Sequence, residues 1–317
     1  MKNFFKRIWE KLKAFWWLLK ETGIKWNDRD PFTNSAVIAY YTIFSMPGLL
    51  VIIINIAGVF FGKEAVTGEL TGQIAGLTGG GNTAQDVEGI IANASLSKGT
   101  RIASIIAVIT LIYGATGIFT QIQAILDKMW EVKPEPKRKW LKLIKDRLFS
   151  FGLILAVGFL LLVSLVLSTV LSAFSTWVTS HLSDSLNFMF KIVDVLLSAG
   201  IITVLFAAIY KFLPDAEVKW KYVWGGAFLT SVLFVAAKFA LGFYFGKSNP
   251  GSTYGAAGTV ILIMLWVSYA GLILLYGAEF TKVYADKYGA PVQPSDHAVS
   301  TADEPEKKLG DPGGARP

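Results

Sequence analysis

Along the chain, apolar and polar positions segregate into six long apolar stretches divided by shorter polar connections. The stretches lie near 36–61, 101–126, 149–177, 189–211, 221–246 and 255–281. Each is about 20 residues or more, enough for a helix to cross roughly 30 Å of hydrocarbon. The pattern predicts an all-α polytopic membrane protein, with a six-helix transmembrane bundle over residues 31–285.

Residues 1–30 follow a different period. Phe5, Ile8, Trp9, Leu12, Phe15, Trp16 and Leu19 recur at steps of three and four, while Lys2, Lys6, Arg7, Lys13 and Lys20 fall elsewhere. That is the pattern of an interfacial amphipathic helix, with aromatic rings at headgroup level and lysines toward anionic lipid. A helix packed on the ends of the spans would read the same way. The stretch has no uninterrupted apolar core and no small-residue cleavage site, so it does not read as a signal peptide.

The connection 62–100 is the one sizeable loop. Val66, Leu70, Ile74 and Leu77 predict one short helix, and Thr83 can cap a second that carries Val87, Ile90, Ile91 and Ala94. Such helices would cover the outer mouth of the bundle and could receive envelope proteins. Residues 286–317 hold five prolines beyond Tyr288, scattered charge and no apolar period, and are expected to form a disordered tail.

Composition agrees with the pattern: 53% of the 317 residues are hydrophobic and 17% charged, against roughly 25% charged in ordinary soluble domains. The formal charge of +7 would suit a nucleic-acid partner, but its placement is better explained by topology. Of the 30 Lys and Arg, 24 fall in the N-terminal segment, the connections after spans two and four, and the C-terminal tail, against five in the other connections. Cationic connections stay in the cytoplasm, so both termini are expected there, in agreement with an even number of spans.

Polar residues at membrane depth are costly and therefore candidates for function. Counted along the helical rise, Asn55, Asp194 and Lys238 share a level roughly 9–12 Å below the outer surface. Asp194 and Lys238 could pair and close the bundle, or Lys238 could extend to the headgroups. Alternatively the three form a substrate site facing an outward cavity and suited to an anionic group. At the inner level Glu279 falls with Gln121 and Tyr40. It could be satisfied by Lys282 or by the second span, or it could couple protons or substrate. Pro47 lies mid-span, where a hinge is expected. "YGATG" and "YGAAG" permit close helix approach or local unwinding.

Other chemistry has no support. With no Cys and only His181 and His297, thiol catalysis and Cys-based zinc sites are excluded. No phosphate-binding glycine loop, HExxH or GxSxG occurs, and the carboxylates of the basic connections lack metal-ligand spacing. Neither an enzyme, a cofactor, a resident metal nor a nucleic-acid partner is expected.

Three stretches resemble the YihY/BrkB family of membrane proteins over about residues 20–285. They are "AVIAYYTIFSMPGLLVIIINIAG", "YGATGIFTQIQAILDKMWEVKP" and "YGAAGTVILIMLWVSYAGLILLYGAEFTKVYA". At Asp127 the family pattern more often has Asn. The resemblance implies a six-span protein of the bacterial inner membrane, linked to envelope integrity and, in some members, to export of lipid or lipopolysaccharide precursors. An old ribonuclease BN label for the family conflicts with the missing nuclease site.

Together these features favour transport or flipping of an anionic lipid or glycolipid precursor. A non-transporting scaffold for envelope assembly and a small-solute or ion exporter are the alternatives. Membrane lipids are the expected partners, and a homo-oligomer is compatible with the pattern.

Overall fold

The computed structural model describes residues 2–78, 89, 101–134, 152, 185–248, 257–289, 291–295 and 298–301. The expected third span at 149–177 lies outside them apart from Gly152, as do most of the expected second loop helix and the tail beyond 301.

Seven helices are described: α1 (Lys2–Asn27), α2 (Pro31–Phe61), α3 (Lys63–Thr78), α4 (Arg101–Met129), α5 (Ser185–Phe212), α6 (Trp220–Ser248) and α7 (Gly258–Tyr288). By length and composition, four are able to cross a membrane: α2 over Pro31–Asn55, α5 over Val195–Phe212, α6 over Trp220–Phe245 and α7 over its full length. α2 packs against α4 and α7, α6 bridges α5 and α7, and α1 lies along α7. The end of the bundle that gathers α1, the end of α4 and the end of α7 is rich in Lys and Arg, and is called the basic end below.

The turn into α2 follows from its residues. Asp30 takes the left-handed conformation (φ 51°) and Pro31 opens the helix, where a missing N–H costs nothing. Asn34 closes the turn by donating to the Arg29 carbonyl at 2.7 Å. Pro47 sits inside α2, which runs on as helix to Phe61.

Small residues set the helix spacing. A β-carbon on Gly117 of α4 would meet Ser45 Oγ at 3.2 Å, so "YGATG" serves close approach to α2. On α6 and α7 the arrangement is reciprocal: Gly226 lies against Thr281, and Gly277 against Thr230. Each threonine returns its hydroxyl to the glycine of its own helix, Thr230 to Gly226 O at 2.7 Å and Thr281 to Gly277 O at 2.8 Å. No hydroxyl is stranded at the tightest crossing. Tyr210 of α5 locks the third helix on, donating to Leu274 O at 2.7 Å beside Thr230 Oγ1 at 2.9 Å.

α3 folds back onto α2, α6 and α7, clustering Val66 and Leu70 with Ile53 and Ile54. Phe228, Val232, Phe239 and Phe243 of α6 stay exposed, as suits side chains whose solvent is lipid tails.

The first residues of the expected disordered tail are ordered instead. Two short antiparallel ladders join β1 (Val132–Pro134) to β4 (Ala298–Ser300) and β2 (Ala216–Glu217) to β3 (Gln293–Pro294). Backbone bonds extend both, from Thr301 N to Glu131 O at 2.7 Å and from Ser295 N to Asp215 O at 3.0 Å. The segment lacks an apolar period because main-chain pairing holds it, and that leaves little trace in side-chain pattern.

Candidate functional site

Glu279 lies in the last third of α7 and is completely buried. Neither carboxylate oxygen has a hydrogen-bond partner. The helix explains the burial: α7 continues to Tyr288, so Glu279 is two turns inside it rather than at a frayed end. Lys282, one turn on, does not pair with it. The ammonium turns to the end of α4, 2.9 Å from Glu131 Oε1 and 3.1 Å from the Met129 carbonyl.

Glu131 is the hub of the basic end. It has a left-handed backbone (φ 59°), which turns its side chain back beneath the helices. Arg29 donates to the same Oε1 at 2.5 Å and to the Lys128 carbonyl at 3.3 Å. Burial alone would raise the Glu131 carboxyl. The hydrogen bonds and charges of Lys282 and Arg29 outweigh it and hold the group below the usual 4.5. Trp130 adds a neutral tie, its indole N–H donating to Ala278 O at 3.2 Å. Thus α1, α4 and α7 are joined directly below Glu279, whose charge is felt by Arg29, Lys282, Lys25 and Glu131 without contact.

The remaining residues expected at the inner level make no hydrogen bond with Glu279. Tyr40 is half-exposed on α2, its ring against Tyr41 and Phe44 at 5.5 and 4.7 Å. Gln121 is partly buried on α4, and no hydrogen bond joins either to Glu279. Asp127 accepts the backbone N–H of Asp215 at 2.7 Å, a turn-closing role.

At the other level, Asn55 donates to Val51 O at 2.8 Å and accepts from Lys63 at 2.9 Å. It is tied to the start of α3. Lys238 is exposed on α6, and the side chain of Asp194 lies outside the described residues. Among the described residues no group of three or more His, Asp or Glu could hold a metal ion.

Sequence spacing did not reveal Arg29 or Glu131 as charges acting on Glu279, since they belong to separate elements. The signal that could have found Glu131 is the "WEV" after a helix whose last turns are apolar.

A family profile described as Virulence factor BrkB matches residues 24–302. The chain belongs to the BrkB family. Relatives in that family are described as UPF0761 membrane proteins. The one from Tolumonas auensis is 31% identical over 180 residues, covering 56% of each chain. The one from Pseudoalteromonas atlantica is 26% identical over 264 residues, 80% of this chain and 82% of that one. For the Delftia acidovorans protein the figures are 28% over 174 residues, 54% of this chain and 39% of the relative. The chain therefore spans about half or less of two of these three. No solved structure matches. Membership in BrkB makes this an integral membrane protein, and the matched region contains every described span and the Glu131–Lys282–Arg29 cluster.

Proposed function

We propose that the protein moves an anionic amphipathic envelope component, a lipid or glycolipid precursor, between leaflets of the bacterial inner membrane. It does so as a six-span carrier with both termini cytoplasmic, without catalysing a covalent step, and Glu279 links the movement to protons. The observation that carries this is Glu279 itself. A carboxyl buried in a membrane-spanning helix without a hydrogen bond costs several kcal/mol, about what a neutral side chain there would avoid. Such a group persists where its charge state changes during a cycle. A lipid substrate is supported by the exposure of Lys238 on a helix that also exposes Phe239 and Phe243, which suits a headgroup arriving sideways from the bilayer. The scaffold alternative draws less support, because Val66 and Leu70 of α3 already pack on α2.

The test uses the full-length protein in vesicles that carry a labelled anionic phospholipid in one leaflet. Protein-dependent translocation, faster with an imposed proton gradient, should be lost in Glu279→Gln and in Lys238→Met. A zwitterionic label should move more slowly. No translocation by the wild type would remove the lipid-transport assignment.

A further inference from the structure

The seam between α1 and α7 leaves four polar atoms stranded. Thr22 Oγ1, Trp26 Nε1 and both oxygens of Glu279 are buried and make no hydrogen bond. The contacts on either side fix their register. Leu18 clusters with Phe280 and Val283. The Tyr276 hydroxyl donates to Leu19 O at 3.0 Å, and the Trp26 ring meets Tyr276 edge-on at 5.9 Å. Thr22 lies one turn from both Leu18 and Trp26, on the same stripe of α1. It therefore faces α7 between Tyr276 and Val283, the level of Glu279. Lys25 and Arg29 act on that carboxylate electrostatically, which independently brings this end of α1 to it.

The stranded atoms are complementary in kind. An indole N–H only donates, a hydroxyl donates and accepts, and a carboxylate accepts. No two of them bond directly. What satisfies such a set is a small molecule that both donates and accepts, and buried waters typically hold two to four such partners. We propose that Thr22, Trp26 and Glu279 enclose an internal water site between α1 and α7, through which protons reach Glu279.

In the step, a hydronium from solvent enters the site. One of its O–H bonds breaks as an O–H bond forms on a Glu279 oxygen, leaving neutral water hydrogen-bonded to Thr22 and Trp26. The charges acting on Glu279 are Arg29 of the α1–α2 turn, Lys282 of α7, Lys25 of α1 and Glu131 after α4, and Lys282, Lys25 and Glu131 act on Asp286 as well. α2 contains no charged residue. The site deepens the coupling role proposed for Glu279, yet its test needs no transport.

Infrared difference spectra of the full-length protein in nanodiscs, acidic minus alkaline, read both partners. The wild type should show a carboxylic-acid C=O band absent from Glu279→Gln, and a water O–H band that shifts in heavy-oxygen water. Thr22→Val and Trp26→Phe should raise the C=O frequency and remove the water band, while Thr22→Ser keeps both. Thr22→Val should also lower the melting temperature, whereas a dry seam would gain stability on losing a stranded hydroxyl. A missing isotope-sensitive band, or a C=O band unmoved by both substitutions, overturns the site. Should either substituted protein fail to fold, the wild type, Glu279→Gln and Thr22→Ser spectra decide alone. Intact bands without lipid translocation would remove the transport assignment and leave the water site standing.

Discussion

Lys282 of α7 holds Glu131, two residues past the end of α4, at 2.9 Å. The lysine is 8% exposed, so deleting its partner strands a nearly buried ammonium. Glu131 keeps 37% of its side chain exposed, which softens the loss. Glu131→Gln should cost about 1–2 kcal/mol, below the roughly 3–5 typical of breaking fully buried pairs.

The same pair sets an acid limit. Above 4.5, the ordinary value, folded and unfolded chains both carry the carboxylate and its contribution is complete. Below 4.5 the unfolded chain takes up a proton first. The contribution is lost as pH falls through the depressed folded value. Thermal melts of wild type and Glu131→Gln in detergent should therefore differ at neutral pH and converge in acid.

Gly277→Ala drives a methyl into Thr230 Oγ1 and toward the Tyr210 hydroxyl, and Gly226→Ala does the same to Thr281. Each should destabilise by about 1–3 kcal/mol, the usual cost of overpacking. Gly242→Ala, with nothing within 4 Å of the added carbon, should be neutral or slightly stabilising. Denaturant melts of the three variants make the comparison.

Tyr210→Phe removes the hydroxyl that joins Leu274 O and Thr230 Oγ1. The Leu274 carbonyl loses a side-chain partner while Thr230 keeps Gly226 O. A loss of about 1–2 kcal/mol is expected, read as a lower unfolding midpoint at unchanged helical content.

Much of the fold was legible from the apolar pattern. α2, α4, α5, α6 and α7 stand where long apolar runs stand, because a stretch that must satisfy its backbone in lipid has little choice but helix. The glycines of "YGATG" left close approach and local unwinding both open, and Gly117 meets Ser45 within a continuous α4. The site was half legible. Glu279 was visible as an acid in an apolar run, but helical spacing, which left Lys282 open as one partner, carried no sign of its competitor. Lys282 instead reaches Glu131, which is 151 positions away in the chain, and sequence spacing carries no such information. Tyr40 illustrates the opposite limit: its place within a long helix was readable, and the direction in which the side chain points was not.

Shortening the chain after Gly289 should leave the helices folded while exposing β1 and β2. Limited proteolysis should then cut near residues 132–134 and 216–217, which the intact protein shields by pairing with β4 and β3. Unchanged cleavage would show that the ladders add no protection.

Those ladders also impose an order of assembly. β1 and β2 emerge from the ribosome long before Gln293–Ser300, and among the described residues these late strands are their only sheet partners. The basic end therefore stays open through synthesis of α5, α6 and α7, and it is sealed by nearly the last structured residues described. A chain stalled before that point can insert its helices, but the Glu131 turn would lack the backbone bond from Thr301. Closure of the end where Glu279 lies thus waits on residues 293–301.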